Sequence, residues 1–477
     1  MSFSACSEYS ELQSRWQLIE DLLGGTLEMR EAREKWLPME PEEESLRYEA
    51  RLARSICFDI YKETVYDLAA QPFAREVSVT GSLPAGLEYF SKRVDRANTT
   101  LTAFASRLFY QALNWGGAYI LVDAPATSPQ STLRDEIENR LQPYLVAIDA
   151  RTVLDKSYAV DSTGLEYLSS ITLRHGGPTL RSIAAEAETT EATEYIKVFS
   201  TDGKQCKVEV FSVTKDAENG TARTSTDSVV LEIPFIPITE IPFDEIEPKW
   251  PRPPLEGLAW LNLVHYQSMS DQRNILRIAR AGLLLLRGLT EDDMKKKVVF
   301  GPNYVFKTKN EKADGMFIEY KGTSIQAGER DLRELEARME RLGVAPLLQR
   351  TARVAATSST LNASRSESLM QKWVRQISTG LANAINQARY FLKSQPEATE
   401  FLVDIFKDFG VSPFSQAELT TIESARARGD LSHQAYLTEL KRRSVLDERL
   451  DITKEVAAAQ KESEKKAKAS ATTQSAV

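Results

Sequence analysis

The sequence predicts an α+β fold, and three observations support this prediction. Apolar residues recur at spacings of three and four over 8–74, 255–280 and 366–392, as in amphipathic helices. Between Tyr144 and Pro242 the pattern changes to short β-branched and aromatic runs separated by turn residues. A chain of 477 residues is also longer than one core usually supports, about 250–300 residues. We therefore expect more than one packed region.

The N-terminal part should be helical and should then lead into a buried strand. Proline at positions 38 and 41 interrupts the helical pattern early. Thr99 and Thr100 can cap a helix that runs to Leu113, because a threonine hydroxyl accepts from the free N–H groups of a first turn. Gly116 and Gly117 then predict a turn into a strand over 118–122.

The middle of the chain predicts a β-rich region followed by an extended connector. Seven prolines lie between Ile233 and Pro254, where they exclude a helix or a central strand. The predicted strands are Tyr144–Ile148, Leu168–Leu173, Glu194–Phe199, Lys207–Val213 and Ser228–Ile233.

Long helices dominate the region after the connector. Pro253 and Pro254 suit the first turn of a helix over 255–280. A charged helix is predicted over 328–342, ending at Gly343, and a third long helix over 366–392. Short strands are predicted at Gly282–Leu286, Val298–Phe300 and Tyr304–Phe306, and shorter C-terminal helices at Glu397–Phe409, Ser415–Arg428 and Ser432–Leu440.

Composition restricts the class of protein. A net charge of −8 argues against a general basic surface for nucleic acid, and it is compatible with a surface along which DNA slides. Three cysteines without a C-x-x-C pair are typical of a reducing compartment. Glu8 and Glu11 lie where a signal peptide would have a basic start and an apolar segment. No apolar run in the sequence is long enough to span a bilayer. We expect a soluble, non-exported protein without a membrane partner.

Catalytic signatures are absent from the sequence. It contains no phosphate-binding G-x-x-x-x-G-K-[ST], no H-E-x-x-H and no G-x-S-x-G. His175, His265 and His433 are widely spaced, so a metal site with several histidines would need distant segments to converge. His265 is interpreted as a structural or surface residue, and the adjacent Asp292 and Asp293 as a solvated turn. We predict no catalytic residue, no metal and no cofactor.

Several stretches resemble the portal proteins of tailed bacteriophages, in a branch of that superfamily catalogued as an uncharacterised phage domain. The likeness extends over about Trp36 to Leu392. The most specific stretch is PPLEGLAWLNLVHY at 253–266, continuing through SDQ at 270–272. The other stretches are WLP at 36–38, YEARL at 48–52 and LNWGGAYILVDAP at 113–125.

The resemblance implies a portal-like division of the chain. The implied parts are an N-terminal helical region and α/β wing (1–252), a stem helix (253–282), a small α/β clip (283–324), a second stem helix (325–343), a tunnel loop (344–366), a long wing helix (367–393), crown helices (394–453) and a flexible tail (454–477).

The resemblance also implies partners and a location. Twelve copies would form a ring at one capsid vertex of the virion, after assembly in the host cytoplasm. Double-stranded DNA would pass through the channel, the terminase large subunit and the head-tail adaptor or neck proteins would dock on the ring, and the major capsid and scaffold proteins would surround it.

Three groups of residues are the resulting site predictions. Lys295, Lys296 and Lys297 are the candidate docking surface of the clip, against the alternative of a solvated loop tip. Arg350, Arg353 and Arg365 are candidate DNA contacts in the tunnel loop, against an ordinary linker between helices. On the second stem helix, mixed charges can pair within the helix or across subunits, and the candidates for setting subunit register are Arg330, Glu334, Arg338 and Arg341.

Two other classes of protein remain open at this stage. One is another phage head component, of the capsid or scaffold type. The other is a phage DNA-processing enzyme such as a nuclease with scattered carboxylates, for which the sequence offers no ligand cluster. The long helix after Pro253 and Pro254 and the insertion before the second helix favour a portal over both.

Overall fold

The fold is described from a computed structural model of the chain. Its described residues are 6–125, 141–175, 194–216, 220–244, 246–247, 249–281, 283–288, 314–318, 322–345, 368–392, 396–397, 399–406, 416–442, 446, 452 and 454–458. They form two compact units. The first comprises Met1–Pro346 with Lys372–Phe406, and the second comprises Leu347–Gln371 with Lys407–Val477.

Helices and strands are both abundant, so the α+β prediction is confirmed. The first unit begins with five helices, α1 (Ser7–Gly24), α2 (Thr26–Glu31), α3 (Ser45–Leu52), α4 (Ile60–Ala70) and α5 (Leu101–Trp115). The predicted cap of α5 is confirmed, because the Thr100 hydroxyl accepts a hydrogen bond from the Ala103 N–H at 3.3 Å. Gly116 ends this helix in the left-handed conformation, with φ of +90°.

A three-stranded antiparallel sheet lies against α5. Its strands β3 (Tyr144–Ile148), β2 (Gly117–Asp123) and β9 (Ile238–Pro242) stand in that order, so β2 is central and almost entirely buried. The predicted strand at 118–122 is confirmed. The connector, expected to be extended throughout, contains β9, and Pro242 is tolerated there because β9 is an edge strand.

The β-rich region is a five-stranded antiparallel sheet in which every strand pairs with its neighbour in sequence. Four strands overlap the predicted runs, although the last ends at Leu231 rather than Ile233. The strands in order are β4 (Val153–Val160), β5 (Glu166–His175), β6 (Glu194–Thr201), β7 (Cys206–Asp216) and β8 (Gly220–Leu231).

Two long helices and a strand pair follow the connector. α6 (Glu256–Ala281) has the predicted position, and β10 (Leu283–Arg287) pairs antiparallel with β11 (Asp314–Ile318). The two strands expected at Val298–Phe300 and Tyr304–Phe306 lie outside the described residues. α7 (Thr323–Val344) begins five residues before the expected start and passes through Gly343, where an end was predicted.

The third long helix, α8 (Leu369–Ala388), continues into a short 3₁₀ turn at Arg389–Phe391. Five apolar residues are predicted from their spacing to share one face of this helix; Leu369 is half-buried, and the other four, Trp373, Ile377, Leu381 and Ile385, are buried. The Trp373 ring stacks on Phe243 with 5.4 Å between ring centroids, and its indole N–H donates to the Phe243 carbonyl oxygen at 3.3 Å. The face of α8 therefore packs on the segment that follows β9.

The helix predicted at Glu397–Phe409 is wrong. Residues Phe401–Asp404 form a strand, β12, which pairs antiparallel with β1 (Ser78–Gly81). Burial alternates along β12, with Phe401 and Val403 inside and Leu402 exposed, which is the two-residue period of a strand. Pairing with a distant segment thus decides the conformation of this apolar stretch.

The second unit contains two described helices, α9 (Gln416–Ala427) and α10 (His433–Arg442), close to their predicted positions. The expected flexible tail begins with helical residues at 454–458, and its remainder lies outside the described residues. None of the described helices combines the length and apolar character that crossing a membrane requires.

Candidate functional site

The most specific stretch of the sequence, 253–272, forms the beginning and middle of α6. Pro253 and Pro254 precede the helix, and Glu256 in its first turn accepts two hydrogen bonds from Arg15 of α1 at 2.6 Å. Because a carboxylate near a helix N-terminus also meets the positive end of the helix dipole, this ion pair favours a helix start at this point. The N-terminal helices therefore fix where α6 begins.

A row of buried polar side chains joins α6 to the N-terminal helical region. The Asn262 side chain accepts from the Tyr61 N–H at 2.9 Å and donates to the Phe58 carbonyl oxygen at 2.9 Å. The Tyr266 hydroxyl lies 2.8 Å from the Ser55 hydroxyl, and both residues are buried. These bonds satisfy backbone and side-chain groups that would otherwise be buried unpaired, so they fix both the position and the rotation of α6.

α7 packs along α6 on another side. Gln272 donates from its side-chain amide to the Ile325 carbonyl oxygen at 2.9 Å. A Cβ built on Gly328 would lie 2.9 Å from the Gln272 side-chain carbon Cδ, so glycine permits the close approach of the two helices. Tertiary packing thus explains why Gly328 lies inside α7 rather than at its start.

His265 is a structural residue in this arrangement. Its ring is fully buried, with Nε2 3.3 Å from Glu336 Oε1 on α7 and the ring centroid 5.4 Å from that of Phe58. Its Nδ1 has no hydrogen-bond partner among the described residues. The alternative of a surface role is excluded by this burial.

Three of the residues predicted to set subunit register make contacts within α7 itself. The Glu334 and Arg338 side chains are 3.7 Å apart, and the Arg341 Nε donates to the Ala337 carbonyl oxygen at 3.2 Å. Arg330 is exposed. Exposed pairs of this kind contribute only about 0.2–0.5 kcal/mol each, so they leave these side chains available to other partners.

The other predicted site residues lie outside the described part of the chain. These residues are Lys295, Lys296 and Lys297 of the predicted clip, and Arg350, Arg353 and Arg365 of the predicted tunnel loop. Of the predicted clip, the antiparallel pair β10 and β11 and the first residues of α7 are described.

A buried lysine joins the two sheets of the first unit. The Lys156 side chain on β4 is fully buried, and its Nζ donates to Glu240 Oε1 at 2.6 Å and to the Tyr119 hydroxyl at 3.0 Å. Burial opposes its charge, but the neighbouring Tyr119 oxygen and the Glu240 carboxylate together raise the pKa of Lys156 above its ordinary value. The same ammonium group lies over the ring of Trp250, with 5.1 Å between Nζ and the ring centroid. The ammonium group is therefore charged and is held by these two hydrogen bonds and by the Trp250 ring.

A second buried lysine has the opposite environment. Lys197 on β6 is 3% exposed, and burial lowers the pKa of its ammonium group to about 8, although Asp123 and Asp227 act to raise it. Sequence reasoning missed both lysines: no strand was predicted around Lys156, and Lys197 lies in a predicted strand to which no site was assigned. The only signal was a lysine within a strand-like run, at Lys156 in VLDKSYAV and at Lys197 in EYIKVFST.

Comparisons with known proteins give one family model and several solved structures. Residues 254–392 match a model described as a domain of unknown function (DUF4055). No curated protein sequence matches the chain. The solved structures that match include a virion of a native gene transfer agent particle, with 12% identity, a TM-score of 0.40, and coverage of 80% of this chain and 89% of the other. They also include the neck of an empty particle, with 13% identity, a TM-score of 0.40, and coverage of 80% of this chain and 90% of the other. A third match is a neck of a native particle computed with twelvefold symmetry (13%, 0.37, 80% and 89%).

Proposed function

We propose that this chain is the portal protein of a tailed bacteriophage. In this role it forms a ring at one capsid vertex, conducts the genome during packaging and ejection, and docks the terminase and the head-tail adaptor. The chain acts without catalytic residues or cofactors. The observation that carries the proposal is the pair of packed helices, α6 and α7, joined by an insertion that contains the strand pair β10–β11.

The dimensions of this helix pair suit a channel wall. At about 1.5 Å per residue, the 26 residues of α6 extend roughly 39 Å, slightly more than one turn of duplex DNA at ~34 Å. β10 begins two residues after α6 ends, and β11 ends five residues before α7 begins. The insertion therefore begins and ends at the same end of the helix pair, as expected of a clip at the end of a stem.

An exposed apolar stripe on α6 supports self-association. Trp260 and Val264, four residues apart on one helix face, are 45% and 41% exposed. A ring needs a heterologous interface, in which one surface of a subunit meets a different surface of the next. We assign the Trp260 and Val264 stripe to one side of this interface, and the charges at Arg330, Glu334, Arg338 and Arg341 to the setting of register between neighbours.

The remaining roles follow from the same proposal. Arg350, Arg353 and Arg365 would contact DNA phosphates in the channel, and Lys295, Lys296 and Lys297 would meet terminase and later the adaptor. Replacing the three lysines with glutamate should impair DNA packaging or neck assembly, because acidic side chains reverse the charge of the docking surface. Normal packaging and normal necks in this variant would contradict the clip assignment.

Electron microscopy of the purified chain, together with its mass in solution, tests the ring directly. We expect rings with a central channel and a mass near twelve times 53.5 kDa. Val264→Glu should reduce ring formation, whereas Leu402→Glu, at a more exposed apolar residue on β12 (68% against 41%), should leave it unchanged. Closed shells or an oligomer without a channel would contradict the portal proposal and favour another head component.

A further inference from the structure

A cavity rich in arginine lies between the C-terminal half of α6 and the segment that follows α3. Its volume is about 660 Å³. No carboxylate lines it among the described residues. The charged residues that line it are Arg30, Arg51, Arg54, Arg273 and Arg277.

Two of these arginines are held in place by the protein itself. Arg51 is 4% exposed and pairs with Glu43 at 2.7 Å. Arg30 donates from Nε and Nη2 to the Ser55 carbonyl oxygen at 2.9 and 2.6 Å. These contacts build one wall of the cavity and fix the segment on which Arg54 lies.

The other three arginines are uncompensated. The side chains of Arg54, Arg273 and Arg277 are exposed, and none of the three guanidinium groups has a hydrogen bond or ion pair with another described residue. Arg273 and Arg277 are four residues apart on α6, where like charges destabilise a helix. Three positive charges in one concave surface attract anions, although the chain has a net charge of −8. This cluster therefore favours an anionic ligand.

The helix face that carries these arginines also supplies neutral donors. Ser270, Arg273, Asn274 and Arg277 recur at the spacing of one helix face, and all line the cavity. Ser270 is 5% exposed, and its hydroxyl has no hydrogen-bond partner among the described residues. The hydroxyl oxygen is buried in this rotamer, and rotation about the Cα–Cβ bond would turn it toward a ligand in the cavity, which would satisfy an otherwise unpaired group.

From this geometry we infer that the cavity binds phosphate groups. Guanidinium forks donate in pairs to phosphate oxygens, and a tetrahedral phosphate can accept from several forks and a hydroxyl at once, whereas a carboxylate offers two oxygens in one plane. The volume matches that of pockets for ligands of several groups, about 300–1,000 Å³. The ligand is therefore a chain of phosphates, either free or within a nucleic-acid backbone. This inference does not depend on the proposed ring.

Titration calorimetry on the full chain, in buffer free of phosphate, tests the site with tripolyphosphate and, separately, with a short DNA duplex. We expect Arg273→Gln with Arg277→Gln to weaken binding by about tenfold or more, because two charge-assisted donors are lost. Ser270→Ala should weaken binding without lowering the unfolding temperature, since no described residue uses that hydroxyl. Arg47→Gln with Arg107→Gln removes the same charge from exposed arginines outside the cavity and should bind as the wild type does.

Each outcome decides the inference. Binding of tripolyphosphate but not of DNA assigns the site to a free phosphate ligand, and binding of DNA that the cavity variant loses assigns it to a nucleic-acid backbone. Absence of binding by both probes, or equal binding by the cavity and control variants, overturns the inference. If no probe binds and the cavity variant alone loses self-association, the arginines contact acidic residues of a second copy, and the phosphate site is likewise overturned.

Discussion

Replacement of Gly116 by alanine should destabilise the first unit strongly. Gly116 has φ of +90°, a conformation that costs an alanine about 1–2 kcal/mol. A Cβ at this position would also lie far inside contact distance of the Pro251 carbonyl oxygen and 2.8 Å from its carbonyl carbon. Because these atoms belong to the backbone of the connector, the clash requires a backbone shift, for which overpacking costs of about 1–3 kcal/mol are typical.

The sum, about 2–5 kcal/mol, is a large part of the 5–15 kcal/mol by which native proteins are usually stable. Urea unfolding followed by tryptophan fluorescence, at one protein concentration, measures the loss as a lower transition midpoint. Gly257→Ala is the matched control, since Gly257 lies in the first turn of α6 with no atom within 4 Å of an added Cβ. A midpoint for Gly116→Ala equal to that of the wild type would refute this account of the turn.

Three further predictions concern buried polar groups. Lys197→Met should be more stable than the wild type by about 3 kcal/mol below pH 8, because the folded pKa of about 8 lies below the ordinary 10.5. In denaturant titrations, this difference in the free energy of unfolding should decrease toward zero as pH rises from 8 to 10.5. A difference that stays constant over this range would contradict the prediction. Glu240→Gln leaves the buried Lys156 charge without its ion pair and should lower the free energy of unfolding by about 3–5 kcal/mol, measured by thermal unfolding. The control Lys249→Gln breaks a half-exposed ion pair and should lower it by less than about 1 kcal/mol. Asn262→Ala removes two buried hydrogen bonds and should lower the free energy of unfolding by about 2–4 kcal/mol in the same assay. An unchanged unfolding temperature would show that other contacts hold α6.

Local signals in the sequence predicted much of the fold. The cap at Thr100, the turn at Gly116 and the start of α6 after Pro254 each depend on backbone chemistry within a few residues, which a sequence displays directly. Gly328 and Phe401 were misjudged because their conformations depend on distant partners. Gln272 packs against Gly328, and β1 pairs with the strand that contains Phe401.

The candidate sites were predictable to a smaller extent for the same reason. The arginine-lined cavity combines α2, the end of α3 and α6, segments that only the fold brings together. The spacing of Ser270, Arg273, Asn274 and Arg277 on one helix face was visible, but nothing in the sequence placed Arg30 and Arg54 opposite them. The role of His265 as a buried contact between helices likewise depended on the position of α7.

The pairing of β1 with β12 has a consequence for biosynthesis. The two strands are more than 300 residues apart along the chain, yet they form one small sheet within the first unit. During translation β1 leaves the ribosome long before its partner is made, so its backbone N–H and C=O groups have no strand to pair with for most of synthesis. Such an unpaired edge invites pairing with other nascent chains, and a polypeptide truncated before Phe401 would keep that exposed edge permanently.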